Sequence, residues 1–153
     1  MNDLNYKAEI ASMLQMILQD IKRENGYKID VKSVNFERIK RDHRSYKPED
    51  TPIIQIVDVY KRYDHEYTRS RSVWNVALDL ILRPSKSEDY SQEDIWAFEI
   101  SVRRALMEDP KIGLGRYNAQ IKLLDEISNL TINDPILSST MGIEISYHEQ
   151  LRR

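Results

Sequence analysis

The chain has no cysteine. That removes a disulfide framework, a thiolate metal site and a cysteine nucleophile together, and it suits a protein made in a reducing compartment. Glycine is scarce, at four in 153 residues, so neither a dinucleotide fingerprint nor a Walker-type phosphate cradle can be assembled. No apolar run approaches the roughly 20 residues that cross a bilayer. The first ten residues lack a basic stretch followed by an apolar one, so the expectation is a soluble protein without an export signal and without a membrane partner. An excess of either charge is missing too: 23 basic and 25 acidic residues leave a net charge of -2, whereas a general nucleic-acid binder is usually distinctly basic. Charge itself is plentiful, at 31% of the chain against 41% hydrophobic residues. The length fits one domain over residues 1–153, with enough chain to bury a core unaided.

The first organised segment places Ile10, Met13, Leu14, Ile17, Leu18 and Ile21 on one helical stripe. Its expected start lies near Asp3 to Asn5, whose side chains can cap free N–H groups. Its expected end has Lys22 and Arg23 near the carbonyl terminus, before Gly26. The period then changes. Tyr27, Ile29 and Val31 alternate with polar residues, and Val34 and Phe36 continue on the other parity, which predicts a bulge or break near Ser33. Residues 38–52 are polar, contain Pro48 and Pro52, and read as an exposed loop. Residues 53–60 are apolar on both parities apart from Gln55 and Asp58, as in a strand covered on both sides. Residues 72–83 give the clearest strand: Trp74, Val76, Leu78, Leu80 and Leu82 point one way, and Asn75, Asp79 and Arg83 the other. Residues 61–71 then form a long charged hairpin tip or extended ribbon, the natural protrusion of the molecule.

Ser91 and Asp94 resemble a capping box with a shortened acid, and Ile95, Phe98, Val102, Ala105 and Leu106 supply the buried stripe of a second helix. That helix must end before Pro110, while Gly113 and Gly115 permit a sharp reversal. Residues 117–124 and 141–147 alternate as the last two strands. Between them, residues 125–140 read as a long connection, whose Ile127, Leu130, Ile132, Ile136 and Leu137 should pack on the sheet or on a neighbour.

Chemistry-bearing residues are thin on the ground. His43, His65 and His148 are far apart, each beside a charged residue, and no pair has helical ligand spacing, so they read as exposed histidines. Asp58 and Asp79 on adjacent strands, with Glu126 later, are the raw material for a Mg²⁺ nuclease site, although no lysine is placed beside the pair; Asp79 reads more simply as the polar face of its strand. Two locally basic loops remain, at residues 37–47 and 61–71, the second carrying Lys61, Arg62, Arg69 and Arg71. An acidic stretch with Glu88, Asp89, Glu93, Asp94 and Glu99 answers them. Helix-dipole compensation accounts for part of that stretch. The functional alternative is that opposite charges meet across a repeated subunit contact. Tyr60, Tyr63 and Tyr67 among the cations would alternatively stack on single-stranded nucleic acid.

Taken in order and spacing, most of the chain resembles the tail terminator (tail completion) proteins of tailed bacteriophages. The residues that carry the likeness are Ala105, Leu106, Asp109, Pro110, Ile112 and Gly113 at the end of the second helix and Tyr147 at the end of the last strand. Ile112 and Leu114 depart from the family's usual Leu-Gly-Gly form. The resemblance implies a structural virion protein and not an enzyme, with no cofactor, metal or catalytic residue. It would be one subunit of a ring, usually a hexamer, that caps the tail tube, stops its polymerisation and joins the head-side connector. Implied partners are further copies of the chain, the tail tube protein, the neck and, in a contractile tail, the sheath. Genome DNA would pass through the lumen without specific binding, and assembly would take place in the host cytoplasm. The tentative subunit or tube contact is Lys61, Arg62, Arg69, Arg71, Glu88, Asp89 and Glu93. The alternatives are another neck or head-completion protein, or a small nucleic-acid-binding or nuclease domain. The expected fold is α+β: a mainly antiparallel sheet of about five strands with two packed helices, in the order α-β-β-β-α-β-β.

Overall fold

The computed structural model of the chain describes residues 6–37, 45–65, 69–84, 90–108, 119–130 and 136–150. Helix α1 (Tyr6–Gln19) forms where the first stripe predicts it. Ile10, Leu14, Leu18 and Ile21 are fully buried, with Met13 and Ile17 packed at the edge of the same cluster. The expected capping residues 3–5 lie outside the described residues. The helix stops earlier than its charge pattern predicts, because Lys22 and Arg23 serve the following turn. The Lys22 Nζ donates to the Val31 carbonyl, and the Arg23 N–H donates to Asp30 Oδ1 at 2.8 Å. A 3-10 turn (Arg23–Asn25) then ends on Gly26, whose φ of 91° lies in the left-handed region that favours glycine.

Residues 27–32 alternate as a strand would, yet they form none. Ile29 and Val31 are buried in the core, while the Val31 and Lys32 N–H groups donate to the Ile21 and Pro52 carbonyls, at 2.9 and 2.8 Å, outside any ladder. The expected break at Ser33 is where β1 (Ser33–Glu37) begins. It runs parallel to β2 (Ile53–His65), which pairs antiparallel with β3 (Arg69–Leu82). After α2 (Gln92–Glu108) come β4 (Gln120–Leu130) and β5 (Leu137–Gln150). The five strands lie in the order β1-β2-β3-β5-β4, a mixed sheet in an α+β fold with the expected element order. The long connection expected over residues 125–140 is mostly strand, leaving only residues 131–135 between β4 and β5. Alternation fails to announce it because β4 carries a bulge between Leu123 and Glu126, which moves the positions opposite the core residues of β5 from odd to even residues and leaves Ile127 opposite Thr140. Gly142 faces that bulge: a Cβ there would stand 3.5 Å from the Leu124 Cβ.

Both helices cover one face of the sheet. Their buried stripes, including Phe98, Val102 and Leu106, meet Trp74, Val76, Leu78, Leu80 and Leu82 of β3 and Met141, Ile143, Ile145 and Tyr147 of β5. Helix α1 lies beside α2 and over β1, and α2 crosses β3, β5 and β4. The opposite face carries a smaller cluster of Tyr46, Ile53, Ile81 and Ile136. Of the loop expected to be exposed, Ser45, Lys47, Glu49 and Asp50 are exposed, while Tyr46, Thr51 and Pro52 are buried and cover this face. The Thr51 hydroxyl accepts from the Arg83 N–H at 3.1 Å, and the Arg83 guanidinium donates to the Tyr46 carbonyl. Asp79 lies on this face, the polar one of its strand as expected, and is buried there at 1% exposure. Its carboxyl group accepts from Gln55 Nε2 at 3.1 Å and from the Thr140 hydroxyl at 3.3 Å, the pairing that a buried polar group requires.

Candidate subunit interface

The ribbon expected at residues 61–71 is a regular hairpin, paired as far as His65 with Ser70. β5 follows β3 along its whole length and ends with Arg69 opposite Gln150, so the ribbon has three strands and not two. A bulge in β2 between Asp58 and Tyr60 sets which way its side chains face. Before the bulge, Asp58 lies opposite Val76 on the helix-bearing face; after it, Lys61 lies opposite Trp74 on that same face. Lys61 there sets its Nζ 5.2 Å from the centroid of the Tyr147 ring. Arg71 sits one residue from Ser72, which pairs with Tyr147, so it belongs to the opposite face, with His148 across from it. Lys61 and Arg71 are thus separated by the thickness of the sheet. Of Arg62 and Arg69 only the backbone is described, paired with Val73 and with Gln150.

At the base of the hairpin, Asp58 ties α1 to the sheet. Its carboxylate accepts from Lys7 Nζ at 2.6 Å and from the Trp74 indole N–H at 2.8 Å, and Lys7 Nζ lies 4.9 Å from the Trp74 ring centroid. Partial burial would by itself raise the Asp58 carboxyl; the hydrogen bonds from Lys7 and Trp74, with the charges of Lys7 and Lys61, outweigh it and hold the group below its ordinary value. This places Asp58 and Asp79 on opposite faces, so the carboxylate pair of a nuclease site is not brought together. Among the described residues no group of three His, Asp or Glu side chains is placed to hold a metal ion. Of the histidines, His43 lies outside the described residues, His65 ends β2, and His148 faces Arg71 across β3 and β5. Of the three tyrosines considered for stacking, Tyr67 lies outside the described residues, and Tyr60 stands exposed beside the bulge residue Val59.

On the acidic side, Glu88 and Asp89 lie outside the described residues, and Glu93 is exposed in the first turn of α2. That turn is capped as expected in one direction: the Ser91 N–H donates to Asp94 Oδ2 at 2.7 Å. The other end of α2 is clamped. Arg104 donates to the Gly26 carbonyl at 2.7 Å and to Glu108 at 3.0 Å, with its guanidinium 4.8 Å from the Tyr27 ring centroid. Burial, and a hydrogen bond to Glu108, raise the Tyr27 phenol above its ordinary value.

Sequence reasoning overlooked the outer side of α2. Trp96, Ile100 and Met107 are all exposed there, Trp96 at 51%. With Arg103 they recur at spacings of four, three and four, on the side of the helix away from the core stripe. The spacing is readable in the sequence, but one apolar stripe had already accounted for the helix. Beside this line, a cleft of about 320 Å³ opens between α2 and the β4 bulge, lined by Arg103, Leu123, Leu124, Asp125, Met141 and Gly142. No protein-family model matches this chain, and no curated protein matches it in sequence.

Proposed function

We propose that this chain is a structural virion protein: one subunit of a closed ring, of about six copies by its resemblance to tail terminators, that caps the tail tube of a tailed bacteriophage. What supports the reading most is the junction at which α2 ends on Glu108, immediately before Asp109 and Pro110 of the motif that carries the resemblance. The element order of helix, three strands, helix and two strands is in keeping with it. The mechanism is geometric. A ring whose lower face matches the last ring of the tube, and whose upper face does not, ends a growing stack and leaves that upper face to the head-side connector. The ring contacts are heterologous, with one patch of each copy meeting a different patch of the next, as closure by rotation requires. The charged hairpin and the acidic start of α2 are the complementary patches assigned to that contact, where paired charges fix register more than they add affinity.

The test is a phage lacking this gene. Tails of uncontrolled length without attached heads are expected, and supplying the protein should restore one ring at the head-proximal end of each tube. Particles that carry a single copy, or a continuous stack of rings made of this chain, would refute the reading.

A further inference from the structure

The turn after α1 carries the chain's one Asn-Gly pair, Asn25–Gly26. Both residues are exposed, Asn25 closing the 3-10 turn and Gly26 following it at a φ of 91°. Asparagine before glycine is the pair best suited to internal imide formation. Glycine has no Cβ to shield its own backbone nitrogen from the preceding side chain, and its backbone rotates freely. Ring closure needs the Gly26 nitrogen to swing onto the Asn25 Cγ, to within about 3–3.5 Å. Three hydrogen bonds oppose that rotation. The Gly26 N–H donates to the Arg23 carbonyl at 3.0 Å, and Asn25 Nδ2 donates to the Asp20 carbonyl at 2.8 Å. Arg104 Nη1 donates to the Gly26 carbonyl at 2.7 Å. The first two are made beside the turn itself, whereas the third reaches it from α2, 78 residues away in sequence. Arg104 is in turn held by Glu108 and by the Tyr27 ring.

We propose that Asn25 is a site of spontaneous deamidation and that the hold of Arg104 on Gly26 sets its rate. When the turn opens, the Gly26 nitrogen bonds to the Asn25 Cγ, the Cγ–Nδ2 bond breaks, and the Gly26 N–H proton leaves with the amide nitrogen as ammonia. The cyclic succinimide then takes up one water. Opening at the side-chain carbonyl carbon gives aspartate. Opening at the main-chain carbonyl carbon gives isoaspartate, in which the main chain runs through the former side chain and is one carbon longer. Either product exchanges the amide that donates to the Asp20 carbonyl for a carboxylate, at the C-terminal end of α1 where negative charge is disfavoured. Isoaspartate also lengthens the stretch of chain that Arg104 grips. The modification thus loosens the joint between this turn and the last turn of α2, a consequence that does not depend on the proposed ring.

The test incubates the purified full chain at mildly alkaline pH and follows residue 25 by peptide mass spectrometry, with isoaspartate scored by enzymatic methylation. Isoaspartate should accumulate at residue 25 ahead of every other asparagine. It should form about tenfold or more slowly than in the same chain unfolded in guanidinium chloride, since only the open turn reacts. Arg104→Ala should speed the reaction about threefold or more by removing the hold from α2. Leu78→Ala weakens the core but leaves the clamp intact, so below its unfolding transition it should react near the wild-type rate. As the wild type ages, amide exchange at residues 104–108 should quicken in step with the modified fraction, and Asn25→Gln aged alongside should show neither change. The proposal is overturned if residue 25 stays unmodified while the unfolded chain converts, or if the folded wild type reacts as fast as the unfolded chain. It is equally overturned if Leu78→Ala accelerates the reaction as much as Arg104→Ala, since the opening would then be global and the clamp would not set the rate.

Discussion

Replacing Asp58 by Asn isolates one charge at the joint between α1 and the sheet. The amide keeps an oxygen that can accept from the Trp74 indole N–H, but it loses the ion pair with Lys7. Both members of that pair are partly exposed, at 32% for Lys7 and 46% for Asp58, so solvent screening limits it to about 0.5–1 kcal/mol at neutral pH. Asp58→Ala removes the acceptor as well and should cost about 1–3 kcal/mol, because Trp74 is buried and its N–H then has nothing to donate to there. The pH dependence separates charge from shape. The folded-state value of Asp58 is held below the unfolded one, so its contribution is fully present above the unfolded pKa of about 3.9 and disappears as pH falls through the lower folded value. Urea unfolding of wild type and Asp58→Asn at pH 7 should differ by the ion-pair term. As the pH falls through the folded-state value the two should converge, since the wild-type carboxyl then takes up its proton. A gap that stays constant across this range would show that the carboxylate charge contributes nothing, and the account of the joint would fail.

In the core, Leu78→Ala should destabilise by about 2–5 kcal/mol, read from urea midpoints, because Leu78 is fully buried in the apolar cluster that the sheet shares with both helices. Arg104→Ala should cost about 1 kcal/mol and loosen the last turn of α2, seen as faster amide exchange near residue 108, since one side chain holds Gly26, Glu108 and the Tyr27 ring. Arg62→Glu together with Arg69→Glu should leave the monomer folded and reduce ring formation on tubes, and reversal at Glu88 and Asp89 should restore part of it; normal assembly of the doubly reversed chain at physiological salt would make the hairpin a solvated tip.

The parts of this fold legible in the sequence are those with an unbroken period. The α1 stripe from Ile10 to Ile21, the α2 stripe from Ile95 to Leu106 and the even residues of β3 from Trp74 to Leu82 all read directly, because one face of each element meets a single apolar core. Misreadings gather where one residue shifts the parity or a backbone group finds a partner outside the ladder. At β4, whose first residues read as strand, the bulge between Leu123 and Glu126 makes residues 125–130 look like the start of a long connection. At residues 27–32 the alternation is real, but Val31 and Lys32 donate elsewhere. The burial of Asp79 is not legible locally, because its partners, Gln55 and Thr140, lie 24 and 61 residues away. Tertiary pairing of that kind leaves no local trace. The outer line of α2 was legible, since Trp96, Ile100 and Met107 are visible by spacing alone.

The β2 bulge has a larger bearing on the candidate contact than any single cation. An uninterrupted strand would keep Lys61 in step with Gln55 and Val57, on the face that Arg71 shares. The extra residue Val59 turns Lys61 onto the helix-bearing face, where it lies over Tyr147, and leaves Arg71 on the other. A hairpin with all its cations on one face would suit a flat acidic partner, such as a stretch of nucleic acid backbone. One that presents Lys61 to one side and Arg71 to the other cannot lay both on the same plane. It fits a place between two neighbours. In the proposed ring these are the adjacent subunit on one side and the tube on the other, so that the bulge, by dividing the charges, sets the hairpin across the contact instead of along it.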